Sequence, residues 1–246
     1  MIVIPSLRPK YASWRQERTA AEEFNRDTGG AWVRRPMKSY SGIFAALGIA
    51  LTMSARADIP MDPRQVQPLP VGSKVPTFSG TTKEGTIRTF ESGEYQRPTI
   101  IIFYRGGWCP YCNTQLSDLR LVEPKLRQRG FEVVFFSTDR PEILYSSLKD
   151  TQIHYTLLSD SHLAAAKIFH VAYHVDDETV AMQRKYGVDL DKTTGNVSHE
   201  LPVPSVFIID TTGTIRYEYS NPDYKIRLGA DELLAAAEPY ASVGSR

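Results

Sequence analysis

Two cysteines three residues apart, Cys109 and Cys112, are the residues whose types and spacing predict chemistry in this chain. They lie in the segment FYRGGWCPYC, residues 103–112. The chain of 246 residues contains no other cysteine, so an internal disulfide can form only between these two. A pair at this spacing can cycle between a dithiol and a disulfide, which predicts thiol redox chemistry.

The flanking sequence predicts the elements that position the pair. An apolar, β-branched run at 99–103 is typical of a buried strand, and an apolar series at helical spacing after the cysteines predicts a helix that continues to about Gly130. Cys109 then lies at the helix N-terminus, where free N–H groups and the helix dipole favour a thiolate. We expect its sulfur to face these groups and solvent, and Cys112, one turn further, to be more buried. Cys109 would therefore attack a substrate and Cys112 would resolve the intermediate.

Two neighbours of the cysteines are candidate positioning residues. Arg105 would stabilise the thiolate by its charge, and Trp108 would form a wall of the pocket. Two other uses of the cysteines stay open at this point. One is a zinc site, although no second cysteine pair is present; the other is a structural disulfide, although such a short loop stabilises little.

Composition narrows the possible partners. The formal net charge is +1, which gives no support for nucleic acid as a partner, and no glycine-rich nucleotide fingerprint is present. Because no second cysteine pair is present for zinc and no nucleotide fingerprint is present, we predict no metal and no cofactor. The 41% apolar content suits one globular domain with a sizeable core plus additional sequence.

The N-terminal sequence predicts export. An apolar stretch at 41–53 follows Lys38 and precedes Ala55-Arg56-Ala57, a small-x-small cleavage pattern. We divide the chain into an upstream extension (1–36), a signal peptide (37–57) that starts near Met37, and an arm (58–74) before the main domain (75–246). The mature protein would be periplasmic or otherwise secreted. An uncleaved membrane anchor and a buried helix are the alternatives.

The main domain alternates predicted strands and helices. The predicted elements are a hairpin at 75–78 and 86–90, a strand at 131–137, a helix from Pro141 through Leu148, a strand at 155–158, a helix capped by Ser161 and ending near Phe169, an insertion at about 171–200 with a helix near 179–186, a hairpin at 206–209 and 215–219, and a helix at 231–240. This order predicts an α/β sandwich in which a central mixed β-sheet, parallel in its first half and with the terminal hairpin as an antiparallel edge, is flanked by helices on both faces. The two cysteines at three-residue spacing after a strand, in a βαβ context, are a thioredoxin-like redox signature and point to a thioredoxin-like fold.

Residues from about 70 to 240 resemble a peroxiredoxin-like protein of the alkyl hydroperoxide reductase / thiol-specific antioxidant family, within the thioredoxin-fold superfamily. The similarity rests on residues 71–78, 103–112, 135–139, 157–160 and 206–210. It implies a thiol-dependent antioxidant enzyme in which a hydroperoxide oxidises Cys109 and Cys112 forms the disulfide. It also implies an external thiol reductant, either thioredoxin-like or a membrane reductase.

Two positions depart from the family pattern. Gly106 stands where the family carries Thr or Ser, and Pro204 stands where it carries an Arg; Arg105 is the candidate for the missing charge. Pro204, followed by Ser205 and a strand, is instead similar to the cis-proline that faces the active disulfide in thioredoxins, with Pro202 as a competitor for that position and a trans-proline at a strand end as the alternative. These features leave two other functions open, a periplasmic protein thiol-disulfide oxidoreductase and a non-enzymatic binding module that uses the insertion.

Overall fold

The computed structural model describes residues 58–148 and 155–241. The predicted upstream extension (1–36) and signal peptide (37–57) therefore lie outside the described residues. Within these two ranges, no helix is both long enough and apolar enough to cross a bilayer.

The described residues form nine strands and six α-helices. The strands are β1 (Phe78–Thr81), β2 (Ile87–Phe90), β3 (Thr99–Tyr104), β4 (Glu132–Ser137), β5 (Thr156–Ser159), β6 (Ala172–His174), β7 (Glu200–Pro202), β8 (Ser205–Ile209) and β9 (Ile215–Ser220). The helices are α1 (Pro110–Leu119), α2 (Glu123–Gln128), α3 (Ala164–Ile168), α4 (Asp177–Lys185), α5 (Leu190–Thr194) and α6 (Ala230–Ala237). Single 3₁₀ turns span Pro63–Gln65, Pro141–Ile143 and Glu238–Tyr240.

Seven of the strands form one mixed sheet in the order β2-β1-β5-β4-β3-β8-β9. β4 pairs in parallel with both β3 and β5, whereas β8 and β9 add an antiparallel edge on the other side of β3. The strand that leads to the cysteines is therefore central, with all six of its residues buried. The predicted antiparallel terminal hairpin is confirmed, and the predicted parallel part is confirmed for β3, β4 and β5, whereas β1 pairs antiparallel with both β5 and β2.

The alternation of β3 side chains builds a hydrophobic core on each face of the sheet. Ile100 and Ile102 point into the core that contains apolar side chains of α1 and α6. Ile101 and Phe103 point into the opposite core, where Phe169 at the end of α3 packs against Phe103 and Phe207 at ring distances of 5.1 and 4.8 Å. Helices thus cover both faces, as predicted.

The segment predicted as an insertion reaches the cysteine loop. It forms β6, α4, α5 and β7, with β6 and β7 paired in a small antiparallel sheet of their own. Its core consists of Val175, Val180, Leu190 and Leu201, and Trp108 packs against that core. The insertion therefore covers part of Trp108, the residue next to Cys109.

The predicted arm lies along the domain by backbone hydrogen bonds. Leu69 N–H donates to Phe169, Gly72 N–H donates to Ile215, and the Pro60 carbonyl accepts from His174 N–H. These contacts place the arm over the core that contains Phe103 and Phe169, and Leu69 packs against that core.

Three predicted helix features are wrong. The cysteine helix ends at Leu119 and α2 starts anew, because Pro124 has no N–H to continue the hydrogen-bond ladder. Pro141 opens only a 3₁₀ turn, after which turns lead to Leu148. α3 starts at Ala164 and not after a Ser161 cap, since the Asp160 carboxylate accepts the N–H groups of two alanines in its first turn.

Candidate active site

Cys109 is the N-cap of α1, directly after the short loop that leaves β3. It has extended backbone angles, φ −84° and ψ 119°, and Pro110 occupies the first helical turn, where a missing N–H costs nothing. A sulfur thus stands where a capping oxygen is usual, and it makes no capping hydrogen bond. The predicted placement of Cys109 at the helix N-terminus is confirmed.

Both cysteines are buried, contrary to the predicted solvent contact of Cys109. Only 1% of Cys109 and none of Cys112 is exposed, and both are free thiols. The prediction failed because the helix N-terminus is not the edge of the protein here. Trp108 packs against both the α1 core and the core of the insertion, which adds a layer over the loop.

The two thiols have opposite acidities. The pKa of Cys109 falls to about 6, first because Cys112 donates a hydrogen bond to its thiolate and then because of the positive charges of Arg105 and Arg227; burial opposes them. The pKa of Cys112 is raised far above its ordinary value, first by burial and then by the neighbouring Cys109. Cys109 is therefore the thiolate of the pair, and Cys112 holds the proton.

Arg105 is a buried cation held between two aromatic rings. Only 3% of it is exposed, and its guanidinium lies 4.1 Å from the centre of the Tyr224 ring and 5.0 Å from that of Trp108. Within the described residues its Nε has no hydrogen-bond partner, and no carboxylate pairs with it. Its positive charge contributes to lowering the pKa of Cys109, and its predicted role towards the thiolate stays a prediction.

Arg227 is a second cation at the site and was not predicted. It lies between β9 and α6, and its Nη2 is 3.4 Å from Cys112 Sγ. The two residues are 115 positions apart, and the surrounding loop carries no recognisable motif. No signal in a single sequence would have connected them.

Two further residues hold the cysteine loop by hydrogen bonds. The Asp139 carboxylate accepts the Gly107 N–H at 2.6 Å and the Ser147 hydroxyl at 3.0 Å, and burial raises its pKa. From α1, the Asn113 amide donates to the carbonyls of Gly107 and Cys109 at 2.6 and 3.0 Å. Asp139 belongs to a segment that carries the family resemblance, but its contact with the loop was not foreseen.

Pro204 and Ser205 lie at the entry to β8, and the predicted cis-proline is wrong. Every described peptide bond is trans. Val203 N–H bonds to Val171, so the chain enters β8 straight from the insertion, and a proline is accommodated at that boundary because no ladder donor is needed there. The Ser205 hydroxyl donates to Val203 O and accepts from Ser220, so it is used within the sheet. Neither residue hydrogen-bonds to a cysteine in the described part of the chain.

The acidity of Cys109 yields a testable pH dependence. Interactions that favour the charged form lower a pKa, so thiolate absorbance and alkylation of Cys109 should rise through about pH 6 and be level above about pH 7.5. Replacing Cys112 by alanine removes the largest stabilising contact and should move the midpoint upwards. Ultraviolet titration of the native and urea-unfolded protein measures both midpoints, and a native midpoint above about pH 8 would contradict the assignment.

Comparison with known proteins adds an independent line of evidence. The sequence model of the AhpC/TSA family matches residues 71–218. Peroxiredoxin Bcp of Escherichia coli strain K12 is 30% identical over 176 residues, which are 72% of this chain and 100% of the relative. Thiol-disulfide oxidoreductase ResA of Bacillus thuringiensis is 23% identical over 169 residues, 69% of this chain and 79% of the relative.

Solved structures agree on the fold. A peroxiredoxin-like protein from Aquifex aeolicus is similar with a TM-score of 0.55 and 20% identity, over 71% of this chain and 90% of its own. The peroxidoxin BcpB from Mycobacterium tuberculosis is similar with a TM-score of 0.51 and 21% identity, over 70% and 98%. These likenesses confirm the predicted fold class.

Proposed function

Because the chain belongs to the AhpC/TSA family of thioredoxin-fold oxidoreductases, we propose that it is a thiol peroxidase in which Cys109 reduces a hydroperoxide and Cys112 resolves it as a disulfide. The observation that carries this proposal is the state of Cys109. Its pKa of about 6 makes it a thiolate at neutral pH, yet only 1% of the residue is exposed. Such a nucleophile suits an electrophile small enough to enter a closed site.

The first step consumes the peroxide. The Cys109 thiolate attacks one oxygen of the hydroperoxide, an S–O bond forms and the O–O bond breaks. The leaving oxygen takes a proton from solvent to become water or an alcohol, and Cys109 keeps the attacked oxygen and its hydrogen as a sulfenic acid. Negative charge moves from sulfur to the departing oxygen, and Arg105 is the buried cation placed to stabilise it.

The second step closes the cycle. The Cys112 sulfur attacks the Cys109 sulfenic acid, an S–S bond forms and the S–O bond breaks, and the oxygen leaves as water with the Cys112 proton. A dithiol then reduces the disulfide. We propose that this reductant is a thioredoxin-like protein or a membrane reductase, and that the mature enzyme acts in the periplasm; the support for that location is the signal-peptide pattern at 37–57.

A second candidate function is disulfide exchange with protein substrates. It is favoured by the Cys-Pro-Tyr-Cys sequence and by the similarity to a thiol-disulfide oxidoreductase. The burial of Cys109 opposes it, because an in-line attack on a protein disulfide needs the sulfur to be reached by a bulky partner.

Stopped-flow fluorescence separates the two candidates. The full chain with Trp14 and Trp32 replaced by phenylalanine keeps Trp108 as its one tryptophan. After reduction, its fluorescence should change on mixing with hydrogen peroxide at a second-order rate at least about 100-fold above that of a free thiolate. A rate no faster than a free thiolate, together with rapid reduction of insulin, would establish disulfide exchange instead.

A further inference from the structure

The guanidinium of Arg227 is oriented towards Cys112 by three contacts. Nη2 lies 3.4 Å from Cys112 Sγ, Nη1 lies 3.5 Å from Gln115 Oε1, and Nε donates to the Tyr224 carbonyl at 2.8 Å. Cys112 and Gln115 are three residues apart and hence on one face of α1. The contacts with Gln115 and the Tyr224 carbonyl therefore hold the guanidinium with Nη2 beside the Cys112 sulfur.

The charge of Arg227 is not neutralised by an acidic side chain. Within the described residues, no carboxylate pairs with Arg227 or with Arg105. Two guanidinium groups thus face a reduced pair that carries a single thiolate, on Cys109. One positive charge is left over beside a fully buried thiol.

Resolution needs the charge that this cation would stabilise. Cys112 is wholly buried, and a thiolate there is costly without a partner of opposite charge. In the reduced enzyme the Cys109 thiolate opposes a second negative charge. Once Cys109 has become a neutral sulfenic acid, this repulsion is gone, and the charge of Arg227 can then stabilise a negative charge on the Cys112 sulfur.

We infer that Arg227 is a catalytic residue of the resolving step, in which it stabilises the negative charge on Cys112 as that sulfur attacks the Cys109 sulfenic acid. The atoms balance as before: the S–S bond forms, the S–O bond breaks, and water leaves with the Cys112 proton. The inference rests on the proposed peroxidase function and adds a residue to it. Arg105 serves the first step, and Arg227 serves the second.

The test resolves the two steps in time. Full-length chain with phenylalanine at positions 14 and 32 is mixed with hydrogen peroxide, and Trp108 fluorescence is followed while quenched samples are examined by mass spectrometry for sulfenic acid, disulfide and sulfinic acid. The variants are Arg227→Gln and Arg227→Met, which remove the charge, and Arg227→Lys, which keeps it. Lys225→Gln is the matched control, since it removes an exposed positive charge from the same loop.

We expect the phase that depends on peroxide concentration to change less than about threefold in Arg227→Gln, which shows that the fold around Cys109 is intact. The phase independent of peroxide should be about tenfold slower or more. Sulfinic acid should accumulate at high peroxide, because the sulfenic acid survives long enough to react again. Lysine should restore most of the rate, and Lys225→Gln should match the parent.

Each other outcome is decisive. A peroxide-independent phase of parental rate in both charge-removing variants would overturn the role of Arg227 and leave the peroxidase intact. If the peroxide-independent phase were as slow in Arg227→Lys as in Arg227→Met, the positive charge at this position would not be what matters. Absence of the peroxide-dependent phase in the parent protein would overturn the proposed function and this inference with it.

Discussion

Replacement of Cys109 by serine should lower peroxide turnover roughly 1,000-fold or more, to the background of the assay. A serine hydroxyl remains protonated at neutral pH, and the chain has no third cysteine that could substitute. Peroxide consumption in the presence of a dithiol measures the loss. Turnover retained in this variant would refute the assignment of Cys109 as the attacking sulfur.

The matched variant is Cys112→Ser, which keeps a small hydrogen-bond donor beside Cys109. In the absence of reductant it should consume one equivalent of peroxide and stop at the sulfenic acid, because no second thiol is available to resolve it; only a second equivalent of peroxide would carry it to the sulfinic acid. Mass spectrometry under denaturing conditions distinguishes these products from the disulfide of the parent. If Cys112→Ser failed to consume the first equivalent of peroxide, as Cys109→Ser should, Cys112 would also take part in the attack.

Replacement of Gly106 by alanine should lower the free energy of unfolding by about 3 kcal/mol. Gly106 has a backbone φ of +146°, which residues other than glycine rarely adopt. An added Cβ would also lie 2.3 Å from Trp108 Nε1 and 2.9 Å from Asp139 Oδ1. Both neighbours are held in place, Trp108 by two cores and Asp139 by its bond to Gly107. Urea denaturation followed by circular dichroism measures the change.

Gly85→Ala is the control for the backbone contribution alone. Gly85 has φ +83° in the turn between β1 and β2, and nothing lies within 4 Å of its added Cβ, so we expect a loss of about 1 kcal/mol. Equal losses of unfolding free energy at both positions would show that the contacts with Trp108 and Asp139 do not matter.

The same geometry predicts that Gly106→Thr, which restores the residue typical of the family, impairs the enzyme, because a larger side chain meets the same neighbours.

The reactive pair and its mounting were readable from the sequence because they depend on neighbours along the chain. The apolar, β-branched run at 99–103 and the apolar series at helical spacing after the cysteines place the nucleophile at a helix N-terminus. The end of α1 was also encoded locally, by Pro124, although the apolar series had suggested a single longer helix. The family resemblance supplied the direction of the chemistry.

Tertiary structure decided how the site is closed and charged. The insertion brings a second core against Trp108 and buries Cys109, the Asp139 carboxylate fixes the loop from the end of β4, and Arg227 arrives beside Cys112 from 115 residues away. Periodicity and spacing report on residues within a few turns or one hairpin. Contacts between distant segments depend on how the elements pack, and no local pattern encodes them.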